Sequence, residues 1–445
     1  MSNWFQLRER GTTVARELQA GLTTFAAMAY ILAVNPAVLA DAGMDRAALV
    51  TVTALSAATA TAVMALLSNY PLALAPGMGI NAFFTYTICV GAGVPWQQAL
   101  GMVFVNGCVF LLLSISGVRE RVVRAIPYSL TLAITGGIGL FIAFIGLRNG
   151  GVVVASPATF VTHGDFASGP TALCLAGLAL TAALVARRVP GAIVLGIAVT
   201  TLAGALVPDG SGGTVTAWPG ALVSLPASPA PLVLQLDLSF LATPDGFLRA
   251  LPLILTLLLV DMFDNIGTLM GVSKRAGFLD DKGQLPGVGR VLVADSVAAI
   301  LSALLGTSTV VSYVESAAGV EAGGRTGLTT LTTAACFVLA LFLTPLILAV
   351  PAAATAPALI VVGVFMLQAV VEIDMRDIPT AVPAALTLVG IPLLFSVADG
   401  IGLGLLATAV LGLATGRPRA LTVTGYIVAA VFFLQFFKVY PFGGP

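Results

Sequence analysis

From Leu18 to Ala414 the chain runs through long apolar stretches interrupted only by short polar or turn-forming segments. A helix needs about 20 mostly apolar residues to cross roughly 30 Å of hydrocarbon. The pattern predicts fourteen such helices, near residues 19–40, 47–68, 78–91, 97–116, 127–147, 170–186, 190–207, 248–273, 289–305, 310–321, 327–349, 356–371, 378–396 and 399–416. The stretches are apolar all round, which excludes the period-2 segments of about 10 residues that build a membrane barrel. A last apolar run at 421–437, flanked by Lys438 and Tyr440, suits either a further span or a helix lying at the interface.

Composition supports this reading. Of 445 residues 58% are hydrophobic and 9% charged, against about 25% charged in a soluble domain. The N-terminal segment carries Arg8, Arg10 and Arg16 and lacks a short apolar core followed by a cleavage site, so no removable signal peptide is expected. With the N-terminus placed in the cytoplasm and sides alternating, sixteen of the twenty Lys and Arg fall on the cytoplasmic side, and the 208–247 loop has none. That asymmetry is the positive-inside rule. The basic residues are scattered singly or in pairs, which argues against a nucleic-acid face. The four cysteines sit in apolar runs at unrelated spacings and read as small hydrophobes. His163, the single histidine, lies in a polar loop and leaves little for zinc or imidazole chemistry. Neither a metal nor a cofactor is expected.

Two short segments begin with turn chemistry. One runs from Ala75 through Pro76, Gly77, Gly79 and Asn81 to Phe84 in the third span; the other runs from Gly306 to Glu315 in the tenth. Seven spans separate them, an odd number, so the two halves of the chain are inserted with opposite orientation. Interrupted helices at matching positions of an inverted repeat point to a transporter's binding site, because broken backbone at that depth survives only when buried in protein or facing a wet cavity.

Ionisable side chains within spans cost at least about 2.5 kcal/mol on insertion scales and mark function by default. Asp261 and Asp264 share one face of the eighth span, with Asn265 and Thr268 beside Asp264. Asp295 lies in the ninth span, and Glu315 in the tenth among Ser312, Tyr313 and Ser316. No Lys or Arg within the spans neutralises them. A carboxyl without a cationic partner in low dielectric tends to keep its proton, so Asp264 and Glu315 read as proton carriers that also hydrogen-bond a heterocycle edge. Asn81 and the broken backbone would complete a polar ring around a planar, neutral ligand. Asp261 stays open between proton coupling and a helix–helix hydrogen bond, and Asp295 reads as structural.

At these residues the chain resembles the AzgA-like branch of the nucleobase permeases, proton-coupled carriers of adenine, guanine and hypoxanthine in the xanthine/uracil permease superfamily. The densest pieces are Gly21 to Ile31 with Val34, Asn35 and Pro36, then Ala75 to Phe84, Asp261 to Thr268, Gly306 to Gly319, and Gly323 to Leu328. The resemblance implies an all-α polytopic membrane protein with fourteen helices in two inverted seven-helix repeats, 1–207 and 248–416, joined by an extracytoplasmic loop at 208–247 and followed by a C-terminal apolar segment at 417–445. It implies a core domain (spans 1 to 4 and 8 to 11), a gate domain (spans 5 to 7 and 12 to 14) and short strands at the starts of spans 3 and 10. By the same resemblance Asp264 and Glu315 hold nucleobase and proton, Asn81 is the third-span amide of the site, and Thr24, Phe25, Thr268 and Ser312 join the binding set. The implied partners are a purine nucleobase, protons, the lipid bilayer and a second copy bound through the gate domain, in a bacterial inner membrane. Thr268 stands where uracil-type relatives carry histidine, which makes uracil a poorer candidate. An anion carrier of the same fold would want a cation at the site, and an enzyme would want a nucleophile with its base. The acids favour neither.

Overall fold

The computed structural model describes residues 4–116, 127–279 and 285–437; Arg119, Arg121, Arg124, Lys282, Lys438 and Tyr440 lie outside them. The chain is helical almost throughout. In order come α1 (Val14–Met28), α2 (Ile31–Leu39), α3 (Arg46–Ser68), strand β1 (Leu74–Pro76), α4 (Met78–Ala82) continued as a π-helix over Phe83–Gly91, and α5 (Trp96–Ser116). Then follow α6 (Tyr128–Asn149), a hairpin of β2 (Val153–Ser156) and β3 (Phe160–His163), α7 (Gly169–Ala186), α8 (Ala192–Gly204) and α9 (Pro244–Ala276). The last part holds α10 (Val288–Leu305), β4 (Val310–Ser312), α11 (Ser316–Glu321), α12 (Gly327–Ala340, prolonged by short turns to Leu348), α13 (Ala352–Leu367), α14 (Ile378–Leu393), α15 (Val397–Ala414) and α16 (Val423–Phe436). Every expected span has a helical counterpart. Among the described residues nine helices are long and apolar enough to cross a membrane, and the third, seventh and thirteenth expected spans are shorter apolar helices.

Local chemistry sets the helix ends. The Asp45 carboxylate accepts from Ala48 N at 2.7 Å and caps α3, which Asn69 closes in the left-handed region at φ 56°. Gly306 ends α10 at φ 90°, where a Cβ would also meet Leu232 O at 2.3 Å. Only glycine suits that corner. Where α6 crosses α13, Gly139 and Gly363 each face the other's carbonyl so closely that an added Cβ would lie 2.6 and 2.4 Å from it. Small residues here let two backbones touch, the usual way membrane helices pack without a hydrophobic drive between them.

The helices fall into two packing groups. In one, α3 carries α2, α10 and α12, while α1 lies on α11 and α12, and α5 on α9 and α10; in the other, α6 packs on α13 and α14, α14 on α15, and α7 on α8 and α13. The 421–437 run forms α16, which lies antiparallel on α15, with Phe432 and Phe436 over Gly402 and Tyr426 near Gly412. Its Val423, Ile427 and Phe433 remain exposed on the other side. At 14 residues it is about 21 Å long, too short to cross the hydrocarbon unaided.

One buried acid binds the first group together. Glu17 on α1 is fully buried, and its carboxylate accepts from Arg325 N (2.9 Å), Thr326 N (3.2 Å) and Oγ1 (2.7 Å), and Thr329 N (3.1 Å) and Oγ1 (2.7 Å). It satisfies the free N–H groups at the start of α12 with a negative charge where the helix dipole favours one. The Gly323 to Leu328 piece is therefore the collar around Glu17. Outside it, Arg10 donates to Arg325 O at 3.1 Å and lies over the Tyr70 ring at 5.0 Å.

Candidate functional site

The two helix breaks meet. β1 and β4 pair antiparallel, Leu74 opposite Ser312 and Pro76 opposite Val310, and Gly77 N to Thr309 O (3.1 Å) and Tyr313 N to Ala73 O (3.0 Å) extend the ladder. Extended backbone inside a bilayer must find partners for every N–H and C=O, and a ribbon of two strands leaves its outer edges open. Side chains close them. Thr61 Oγ1 donates to Leu74 O (2.8 Å) and accepts from Leu74 N (3.0 Å), while Ser316 Oγ accepts from Ala73 N (3.0 Å). Asn265 Oδ1 accepts from Ser312 N (2.9 Å), and the Tyr313 hydroxyl donates to Pro76 O (2.6 Å).

Each break hands its chain to a short helix that carries a candidate residue. Asn81 on α4 is fully buried, and its Oδ1 accepts a hydrogen bond from the Ser308 hydroxyl in the opposite break. Glu315 stands at the start of α11, and its Oε1 accepts from the Tyr30 hydroxyl at 2.8 Å. Asp264, partly accessible on α9, lies within electrostatic reach of Glu315 and of Asp295. Among the described residues no Lys or Arg forms an ion pair with either carboxylate. Thr268 is partly accessible one turn beyond Asp264, and Ser312 is buried in β4.

The other candidates lie around these. The buried Thr24 faces Gly319 of α11, where a Cβ would fall 2.0 Å from its hydroxyl. Phe25 packs edge-on against Phe337, centroids 5.1 Å apart. Thr24 therefore seats the first span on the half-helix after Glu315, and Phe25 seats it on α12. Asp261 accepts from Asn106 Nδ2 (2.9 Å) and Asn265 Nδ2 (2.8 Å), and Asn265 in turn holds Ser312 N. This relay ties α5 and α9 to β4 and gives Asp261 its helix–helix hydrogen bonds. Asp261→Ala is expected to strand two buried amides at about 1–3 kcal/mol each, lowering the melting temperature in detergent. An unchanged melting curve would remove the relay.

Several residues of the site carried no role from sequence. Tyr30, Asn106, Asn265 and Asn35 all make its connections, the last donating to Thr53 Oγ1 (2.6 Å) and Thr307 Oγ1 (3.3 Å) behind the tenth-span break. A polar side chain within an apolar helix is the signal that finds them. A cavity of about 750 Å³ bounded by Pro127, Thr380 and Arg417 lies between α6, α14 and α15, away from the acids. Among the described residues no cluster of His, Cys, Asp and Glu is fit to hold a metal ion.

Known proteins agree with this architecture. The transmembrane domain of a cyanobacterium bicarbonate transporter, BicA, superposes with a TM-score of 0.62 at 18% identity over 88% of this chain and 97% of that one, a likeness of fold. The adenine permease AdeP of Escherichia coli (strain K12) is 41% identical over 432 residues, 97% of this chain and 94% of that protein. The guanine/hypoxanthine permease PbuG of Bacillus subtilis (strain 168) is 40% identical over 449 residues, 98% of this chain and 99% of its own. The Xan_ur_permease model, described as a permease family, matches residues 15–402. With that match over most of its length, broken helices meeting at a two-stranded ribbon and acids beside them, the chain belongs to the Xan_ur_permease family, whose members are membrane permeases and not enzymes.

Proposed function

We propose that the protein takes up purine nucleobases by proton symport, with Asp264 and Glu315 holding base and proton. The observation that carries this reading is the ribbon joining two helix breaks, with Glu315 directly after one of them and Asp264 on α9, the helix whose Asn265 caps the ribbon, and with no Lys or Arg in an ion pair with either carboxylate among the described residues. A purine presents N–H donors and ring-nitrogen acceptors along one edge, which matches a site able to accept at carboxylates and donate from amides and hydroxyls. Relatives named adenine permease and guanine/hypoxanthine permease support the substrate class.

On this reading the group built on α3 is the core (spans 1 to 4 and 8 to 11). It moves against the gate formed by the other group (spans 5 to 7 and 12 to 14), exposing the site to each side in turn. The proton gradient drives accumulation without a cofactor. The membrane is the bacterial inner membrane, the N-terminus is cytoplasmic, and two copies associate through the gate. Anion carriage, suggested by the fold likeness to a bicarbonate transporter, is disfavoured because two nearby acids repel an anion. Purified protein in liposomes tests the proposal. Labelled adenine, guanine or hypoxanthine is expected to accumulate when the outside is acidic and to stop when a protonophore collapses the gradient. Accumulation indifferent to the gradient would exclude symport, and bicarbonate or sulfate uptake without purine uptake would exclude the substrate.

A further inference from the structure

The first span is interrupted as well. α1 ends at Met28 and α2 begins at Ile31; between them the backbone tightens into i to i−3 bonds, Leu32 N to Ala29 O and Ala33 N to Tyr30 O, both 3.1 Å. Pro36 lies one turn on, and its missing N–H and ring weaken the helix just upstream. The interruption seats Tyr30 against the tenth-span half-helix. Its ring is buried, centred 6.5 Å from that of Tyr313, and its hydroxyl donates to Glu315 Oε1 at 2.8 Å. Tyr313 spends its own hydroxyl on Pro76 O and leaves Glu315 to Tyr30. Among the described residues Tyr30 is the one side chain that hydrogen-bonds the Glu315 carboxyl, which also meets its own backbone N–H, and the side chain is partly accessible.

We propose that Tyr30 is the positioning residue of Glu315: by holding Oε1 it fixes the carboxyl plane and presents Oε2 to an N–H of the base. This rests on the reading of Glu315 as a substrate and proton group. The same hydrogen bond couples the Tyr30 hydroxyl to proton uptake and release at Glu315. Among the described residues the other titratable groups facing this pair are Tyr313 and, from α9, Asp264, with Asp295 of α10 beyond it. A carboxyl group free to rotate would offer the base its acceptor, or when protonated its donor, at random orientation, with loss of affinity.

Tyr30→Phe removes one oxygen and keeps the packed ring. In liposomes it is expected to weaken purine affinity about tenfold, the scale of one hydrogen bond to a charged group. The external pH at which uptake is half-maximal should shift, with little change in melting temperature. Tyr313→Phe, which loosens Pro76 instead, should lower affinity or stability and move that pH midpoint less than Tyr30→Phe does. Wild-type affinity and midpoint in Tyr30→Phe would overturn the proposal, as would an equal midpoint shift in Tyr313→Phe. Glu315→Gln run in parallel separates the two levels. If it accumulates purine normally, the reading of the site falls and this inference with it; if it does not while Tyr30→Phe is wild type, only the role of Tyr30 falls.

Discussion

Uphill purine uptake by the Glu315→Gln variant is expected to fall to background while the protein stays folded. Gln keeps the length and an oxygen that accepts from Tyr30, so the hydrogen bond at 2.8 Å and the packing of α11 survive. What disappears is the group that exchanges a proton. A carrier that cannot load a proton can still let its substrate equilibrate, so the variant should retain exchange of purine across the liposome membrane while losing accumulation. Asp264→Asn, on the neighbouring helix, should reduce binding at least as much as turnover. The measurements are uptake against a gradient, equilibrium exchange and melting temperature on one preparation. Gradient-driven accumulation by Glu315→Gln at the wild-type level would refute the assignment.

Glu17→Ala should behave in the opposite way. Three backbone N–H groups and two hydroxyls at the start of α12 lose their common acceptor in a fully buried position. At about 1 kcal/mol or more for each stranded N–H, the loss is at least about 3 kcal/mol. The melting temperature is expected to drop by several degrees with poor recovery of protein. Glu17→Gln should be milder, because one oxygen still serves the four donors that Oε2 accepts now. Residual folded Glu17→Ala protein should bind purine with ordinary affinity, since the acid lies in the collar and not beside the ribbon. A wild-type melting curve would show that the collar bears little of the fold.

These two acids also mark where sequence reasoning reached and where it stopped. Glu315 was legible because it follows a run of turn-forming residues inside an apolar span, and Asp264 because it interrupts one. Glu17 sits at the end of a span, where an acid costs little, and nothing local reveals that a segment some three hundred residues away closes over it. Helix positions were legible from apolar runs, and both breaks from Gly and Pro. Short strands at the two breaks were expected only through family resemblance, and their pairing was not foreseen, since three-residue strands have no pattern of their own. The π-helix at Phe83–Gly91 lies in a continuous apolar run with no period to betray it. Tyr30 and Asn106 were visible as letters, but uncharged polar groups are cheap enough in a membrane to pass as packing.

The ribbon also sets a schedule. Leu74 cannot meet Ser312 until the ribosome has added more than two hundred residues, which at about 5–20 residues per second takes on the order of ten seconds to a minute. Throughout that interval the third span sits in or beside the bilayer with the backbone of its extended segment unmatched. The N-terminal half therefore cannot mature ahead of the C-terminal half: its extended segment must be sheltered until its counterpart arrives, and the candidate site comes into being only in the last third of synthesis.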